Sequence, residues 1–209
     1  MRITAILAAT TLAVAAQPLA AQGVSITPFI GEMVPLKNAI MDTTGGSATY
    51  FHFNAHTIYG LRVAKDVTDQ VTVQVQGGVG KGDVEIVGGG TPMTLRSNVW
   101  FVDARARLRL IGTDRANLGL LAGAGWTQYT MGLLDAGHIL SENNDLKGKV
   151  TGIVGLGLRA RLTGSASFTA DLTDRIHSQP LELDGLSNPI EPTQHDLTMA
   201  FGLNFPLGE

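Results

Sequence analysis

Beyond residue 22, apolar and polar residues alternate with a period of two along most of this chain. The stretch HDLTMAFGLNF (195–205) is the plainest case. Leu197, Met199, Phe201, Leu203 and Phe205 fall on one side of it. Asp196, Thr198, Ala200, Gly202 and Asn204 fall on the other. Successive strand residues point to opposite faces, so the pattern predicts a β-strand with one apolar face. Eight such runs occur, near 24–34, 56–65, 70–79, 97–110, 117–130, 149–162, 164–176 and 194–205. No stretch carries a helical period, and the reading is all-β.

The polar faces decide which side meets water. In the fourth run Trp100, Val102, Ala104, Ala106, Leu108 and Leu110 oppose Phe101, Asp103, Arg105, Arg107 and Arg109. In the sixth, Val154, Leu156 and Leu158 oppose Gly155, Gly157, Arg159 and Arg161. In the seventh, Phe168, Ala170 and Leu172 oppose Thr169, Asp171 and Thr173. Leu61 similarly opposes Arg62, and Val73 and Val75 oppose Gln74. A solvated face favours dispersed Lys and Glu. These faces hold Arg with Asp, whose two-point geometry suits a confined network. Arg62, Asp103, Arg105, Arg107, Arg159, Arg161 and Asp171 are therefore expected to form a charge network inside a barrel, with the apolar faces outward. Eight strands enclose an interior just wide enough for side chains to fill. The first run, interrupted by Pro28, is left without an assigned facing.

Connections alternate short and long. The stretches near 66–69, 112–117 and 163–164 are short, whereas 35–55, 80–96, 131–148 and 177–193 are long. Membrane barrels have short turns on the periplasmic side and longer loops outside. The expected fold is thus an eight-stranded antiparallel up-and-down transmembrane β-barrel. Aromatics fit this depth scheme: Tyr59, Trp100 and Trp126 fall towards the long-loop end, and Phe168 and Phe205 towards the short-turn end. Two such girdles flank the apolar band of membrane barrels. The alternative is a soluble periplasmic β-barrel binding protein with its apolar face inward.

Residues 1–21 read as a signal peptide: Arg2, an apolar run too short to span a bilayer, then small residues. The barrel is expected over 22–209. The chain has no cysteine, which excludes Cys-ligated metal and a Cys nucleophile. A formal net charge of −3 gives no reason to expect a nucleic-acid partner.

The final strand, with Phe201, Leu203 and Phe205, resembles the C-terminal signal of outer-membrane barrels, although PLGE follows the terminal aromatic. The mature chain resembles the small eight-stranded barrels of the OmpA, OmpX and OmpW type. This resemblance implies an outer-membrane location, membrane lipid and the barrel-assembly machinery as partners, and a monomer.

No phosphate-binding loop, HExxH, GxSxG or EF-hand pattern occurs. GGVGKGD (77–83) reads as turn chemistry at a strand end. By parity His56, His177 and Asp196 point inward and are the candidate metal ligands at the mouth. Otherwise the histidines are scattered loop residues. Lipid A deacylases of this shape place His and Ser one residue apart on a strand. Here His177 and Ser178 are adjacent, and Glu182 falls in a loop. No catalytic residue and no cofactor are expected. The expected role is structural or interaction-based, with Arg–Asp pairs filling the short-turn half and any cavity near the mouth. The alternative is passage or binding of ions or a small hydrophobic ligand.

Overall fold

The computed structural model describes residues 23–36, 39–42, 48–87, 92–131, 148–162, 166–178 and 193–207 of the 209-residue chain. The stretch expected to be a signal peptide lies outside them. The strands are β1 (Val24–Pro35), β2 (Ala39–Asp42), β3 (Ala48–Phe53), β4 (His56–Asp66), β5 (Val71–Val87), β6 (Met93–Gly112), β7 (Ala116–Met131), β8 (Lys149–Arg161), β9 (Ser167–Ser178) and β10 (Thr193–Leu207). Eight of them close a ring in the order β1, β4, β5, β6, β7, β8, β9, β10, each antiparallel to its neighbours.

The register fixes the barrel's shape. From Ile30 the paired row runs through Tyr59, Val79 and Trp100 to Gln128 on β7. Followed the other way it runs through Phe201, Ala170 and Leu158 to Leu118, ten residues lower on the same strand. A stagger of ten residues over eight strands tilts them by about 40° to the axis.

Apolar side chains form the outer belt. Leu61, Val75, Val102, Leu156, Leu172 and Phe201 are each two-fifths to one-half exposed. Their strand neighbours Arg62, Gln74, Gln76, Asp103, Arg105 and Asp171 are buried. β1 follows the same rule: Ser25, Thr27, Phe29 and Met33 point inward, while Pro28 and Ile30 are exposed. Pro28 lacks an N–H, and the β1–β10 pairing skips it without a change of register. A continuous apolar surface of this extent is costly in water and is what a membrane or a partner covers.

Two of the short turns share one construction. Thr68 Oγ1 accepts the backbone N–H groups of Gln70 and Val71, at 3.2 and 3.0 Å. Thr113 Oγ1 accepts those of Arg115 and Ala116, at 3.3 and 3.4 Å. Gly112 opens the second turn with φ +117°, a left-handed conformation that suits glycine.

Two expected loops are largely strand. Residues 35–55 contain β2 and β3, and β3 pairs with the upper end of β5 through Tyr50–Val87 to Phe53–Val84. Residues 80–96 are mostly a β5–β6 hairpin, paired as far as Ile86–Met93. GGVGKGD is therefore strand and not a turn. Its glycines clear space inside: a Cβ on Gly78 would lie 2.6 Å from Phe101 Cζ, and one on Gly80 2.8 Å from Ile58 and Val99 methyl carbons.

Candidate functional site: the barrel interior

The tilt and the alternation bring inward residues from opposite walls into layers. In the middle layer Arg62 Nη2 and Arg105 Nη2 both reach Asp171 Oδ2 at 2.5 Å. Glutamines steady both guanidinia: Arg62 Nε donates to Gln76 Oε1 at 3.0 Å, and Arg105 Nε to Gln74 Oε1 at 2.8 Å. Gln76 Nε2 continues the chain to Asp103 Oδ2 at 3.2 Å, which Arg175 Nη1 meets at 2.8 Å. Arg175 Nη2 donates to Thr127 Oγ1 at 3.2 Å, and its Cζ sits 4.5 Å from the centre of the Phe101 ring. Three arginines thus share two carboxylates away from water, where each charge depends on its partners.

Above this layer, towards the long loops, an apolar cluster surrounds a small polar group. Phe29, Met33, Phe53, Ile58, Val99, Phe101 and Tyr129 form one buried cluster. Glycine admits its rings: Gly60 and Gly78 are paired, and a Cβ on Gly60 would lie 2.5 Å from Phe29 Cζ. Within the cluster, Tyr129 Oη donates to Asp196 Oδ2 at 2.5 Å, His177 Nε2 lies 2.8 Å from the same oxygen, and Gln194 Nε2 donates to Asp196 Oδ1 at 3.2 Å.

Below the middle layer the interior narrows, then opens. A space of about 20 Å³ remains beside Arg62, Asp171 and Asn204, roughly one water molecule. Beneath it a basin of about 790 Å³ faces the short turns, lined by Arg107, Arg109, Arg159, Arg161, Asp66 and Asp114, among others. A large cavity thus sits at the short-turn end, where Arg–Asp pairs are expected to fill the interior. The apolar cluster occupies the upper interior, and the arginines nearest the short turns are spread around open space.

The seven expected network residues separate accordingly. Arg62, Asp103, Arg105 and Asp171 join one chain of contacts. Arg107 instead donates through Nη2 to Asn117 O and Oδ1 and to Gly157 O. Arg159 donates to Asn204 Oδ1 at 3.0 Å, with Asp66 at 3.7 Å. Arg161 has no side-chain partner among the described residues. Arg175, whose inward position is readable from parity, belongs in the network. The five girdle candidates Tyr59, Trp100, Trp126, Phe168 and Phe205 all lie on the outer face, and Phe168 stacks on Phe201 with centroids 6.2 Å apart.

The three candidate metal ligands do not converge. His177 and Asp196 pair, but His56 turns Nδ1 to Asn54 O at 2.8 Å and lies edge-on to Tyr129. Among the described residues no group of three His, Asp or Glu side chains is placed to hold a metal ion. His177 and Ser178 point to opposite sides of β9, one buried and one exposed, while Glu182 lies outside the described residues. One polar pair sits on the outer face, where no charge network is expected. His195 Nδ1 lies 2.8 Å from Asp174 Oδ2.

Among solved structures, the chain is similar in fold to the outer membrane protein OprG from Pseudomonas aeruginosa, with 14% identity, 90% of this chain and 97% of that one covered, and a TM-score of 0.59. It is also similar to Neisserial surface protein A, with 10% identity, 89% and 98% coverage and a TM-score of 0.53. No protein-family model matches the sequence, and no curated protein matches it. The fold is that of the small outer-membrane β-barrels.

Proposed function

We propose that this protein is an outer-membrane barrel with a structural or interaction role, closed to the passage of solutes and without enzymatic activity. The observation that carries the reading is the pairing of an apolar outer belt with an interior narrowed to about 20 Å³ beside the Arg62–Asp171–Arg105 contact. A hydrated ion needs a wider path, and above it Phe29 packs against Phe101 and Phe53 against Tyr129 within the upper interior. Short turns face the periplasm in this reading, and the long connections face outward as the interacting surface. The strand from His195 to Phe205 serves as the assembly signal, and the barrel works as a monomer.

The test is conductance of the refolded protein in planar bilayers. The closed-barrel reading expects no steady channel at physiological salt. A stable open conductance would favour ion passage instead.

A further inference from the structure

We propose that the basin at the short-turn end is a binding site for a multivalent oxyanion, a phosphate ester or a polycarboxylate. This goes beyond the closed-barrel reading, which assigns that basin nothing. Its cations come from two strands: Arg107 and Arg109 on β6, Arg159 and Arg161 on β8. Alternation aims each pair inward from the same face of its strand. Glycine on the strand between them makes the room. Gly119 on β7 pairs with Arg109 on one side and Gly157 on the other, and a Cβ there would lie 3.0 Å from Arg107 Cζ.

These guanidinia are poorly neutralised. Arg109 meets Asp114 at 3.0 Å, and that carboxylate side chain is 89% exposed. Arg107 is buried, and its Nη2 donates to the neutral oxygens of Asn117 and Gly157. The nearest carboxylate to Arg159 is Asp66 at 3.7 Å, while Arg161 is exposed and has no side-chain partner among the described residues. Asp66, Asp69 and Asp114 are the carboxylates of the basin wall, so cations outnumber them. The middle layer above adds three arginines against two aspartates. A guanidinium fork matches a carboxylate or phosphate with two parallel hydrogen bonds, so spare forks around one space favour a ligand with several oxyanion groups. The volume of about 790 Å³ suits a small molecule or the anionic end of a polymer. The constriction above means that such a ligand is held there and not passed through.

The full chain, folded in maltoside micelles, is titrated with pyrophosphate and separately with citrate at constant ionic strength, and the arginine side-chain Nε–H signals are followed by NMR. Saturable shifts of the Arg159 and Arg161 signals are expected, with those of Arg62 and Arg105 unmoved. The Arg159→Gln/Arg161→Gln variant should weaken binding by at least about tenfold. The exposed Arg161→Gln change alone, which leaves the folded core untouched, should weaken it in the same direction. Tighter binding of pyrophosphate assigns the site to phosphate esters, and tighter binding of citrate assigns it to carboxylates. Unsaturable shifts with both anions, or unchanged affinity in Arg161→Gln, would overturn the proposal.

Discussion

Arg175 on β9 meets Asp103 on β6 through the barrel interior, Nη1 to Oδ2 at 2.8 Å, with both side chains sealed from solvent. Neither partner is fully satisfied: among the described residues, Asp103 Oδ1 and Arg175 Nε have no hydrogen-bond partner. The pair is therefore a register device more than a source of net stability. Removing one partner leaves a buried charge alone, which costs about 3–5 kcal/mol. Asp103→Leu and Arg175→Met should each lose stability on that scale. The double variant should lose less than either single one, as urea unfolding in lipid vesicles will show.

Asp171 serves two guanidinia from one oxygen. Asp171→Asn should therefore cost more than Arg62→Gln or Arg105→Gln, because each arginine deletion leaves the carboxylate one partner. The asparagine variant is also the one expected to admit conductance in planar bilayers, since Arg62 and Arg105 then repel across the narrowest point.

Gly60 and Gly78 face each other on β4 and β5 and give room to Phe29 and Phe101, whose centroids lie 6.3 Å apart. Gly78→Val places branched carbon where the Phe101 ring stands. Overpacking of this kind costs about 1–3 kcal/mol. Adding Phe101→Leu should recover part of the loss. Equal stability of Gly78→Val and the parent chain would contradict the packing account.

On the outer belt, Leu156 is flanked in register by Leu120 and Leu172. Leu156→Arg should cost about 2–4 kcal/mol in lipid vesicles, the scale for a charge near the bilayer midplane. Val87→Arg lies far along β5 from Val79, the partner of Trp100, and should cost close to nothing. Equal effects at the two positions would mean that no lipid belt separates them.

The eight ring strands, and the facing of all but the first, were legible because period-2 alternation needs no partner to be seen. Arg62, Asp103 and Phe101 could be placed inside by parity alone. The partners could not: whether Arg107 meets Asp171 or Asn117 depends on the ten-residue stagger, which no single strand encodes. β2 and β3 escaped because AIMD and ATYFHF are short and form strands by pairing with each other and with β5. Gly77 to Gly82 looked like a turn because glycine usually interrupts strands. Here Gly78 makes room for the Phe101 ring and Gly80 for the Ile58 and Val99 methyl groups. The basin's position escaped for a related reason. Its emptiness depends on which arginines find carboxylates, and that is set across the lumen.

The measurement that bears most directly on the account is heat-modifiability after membrane fractionation. The chain is expressed from its first residue, outer membranes are isolated, and boiled and unboiled samples are compared in SDS. A faster-migrating unboiled band in the outer-membrane fraction is the predicted result, because a closed barrel resists SDS until heated. A single band confined to the soluble periplasmic fraction would contradict it, since the belt of Leu61, Leu156 and Phe201 would then have no lipid to face.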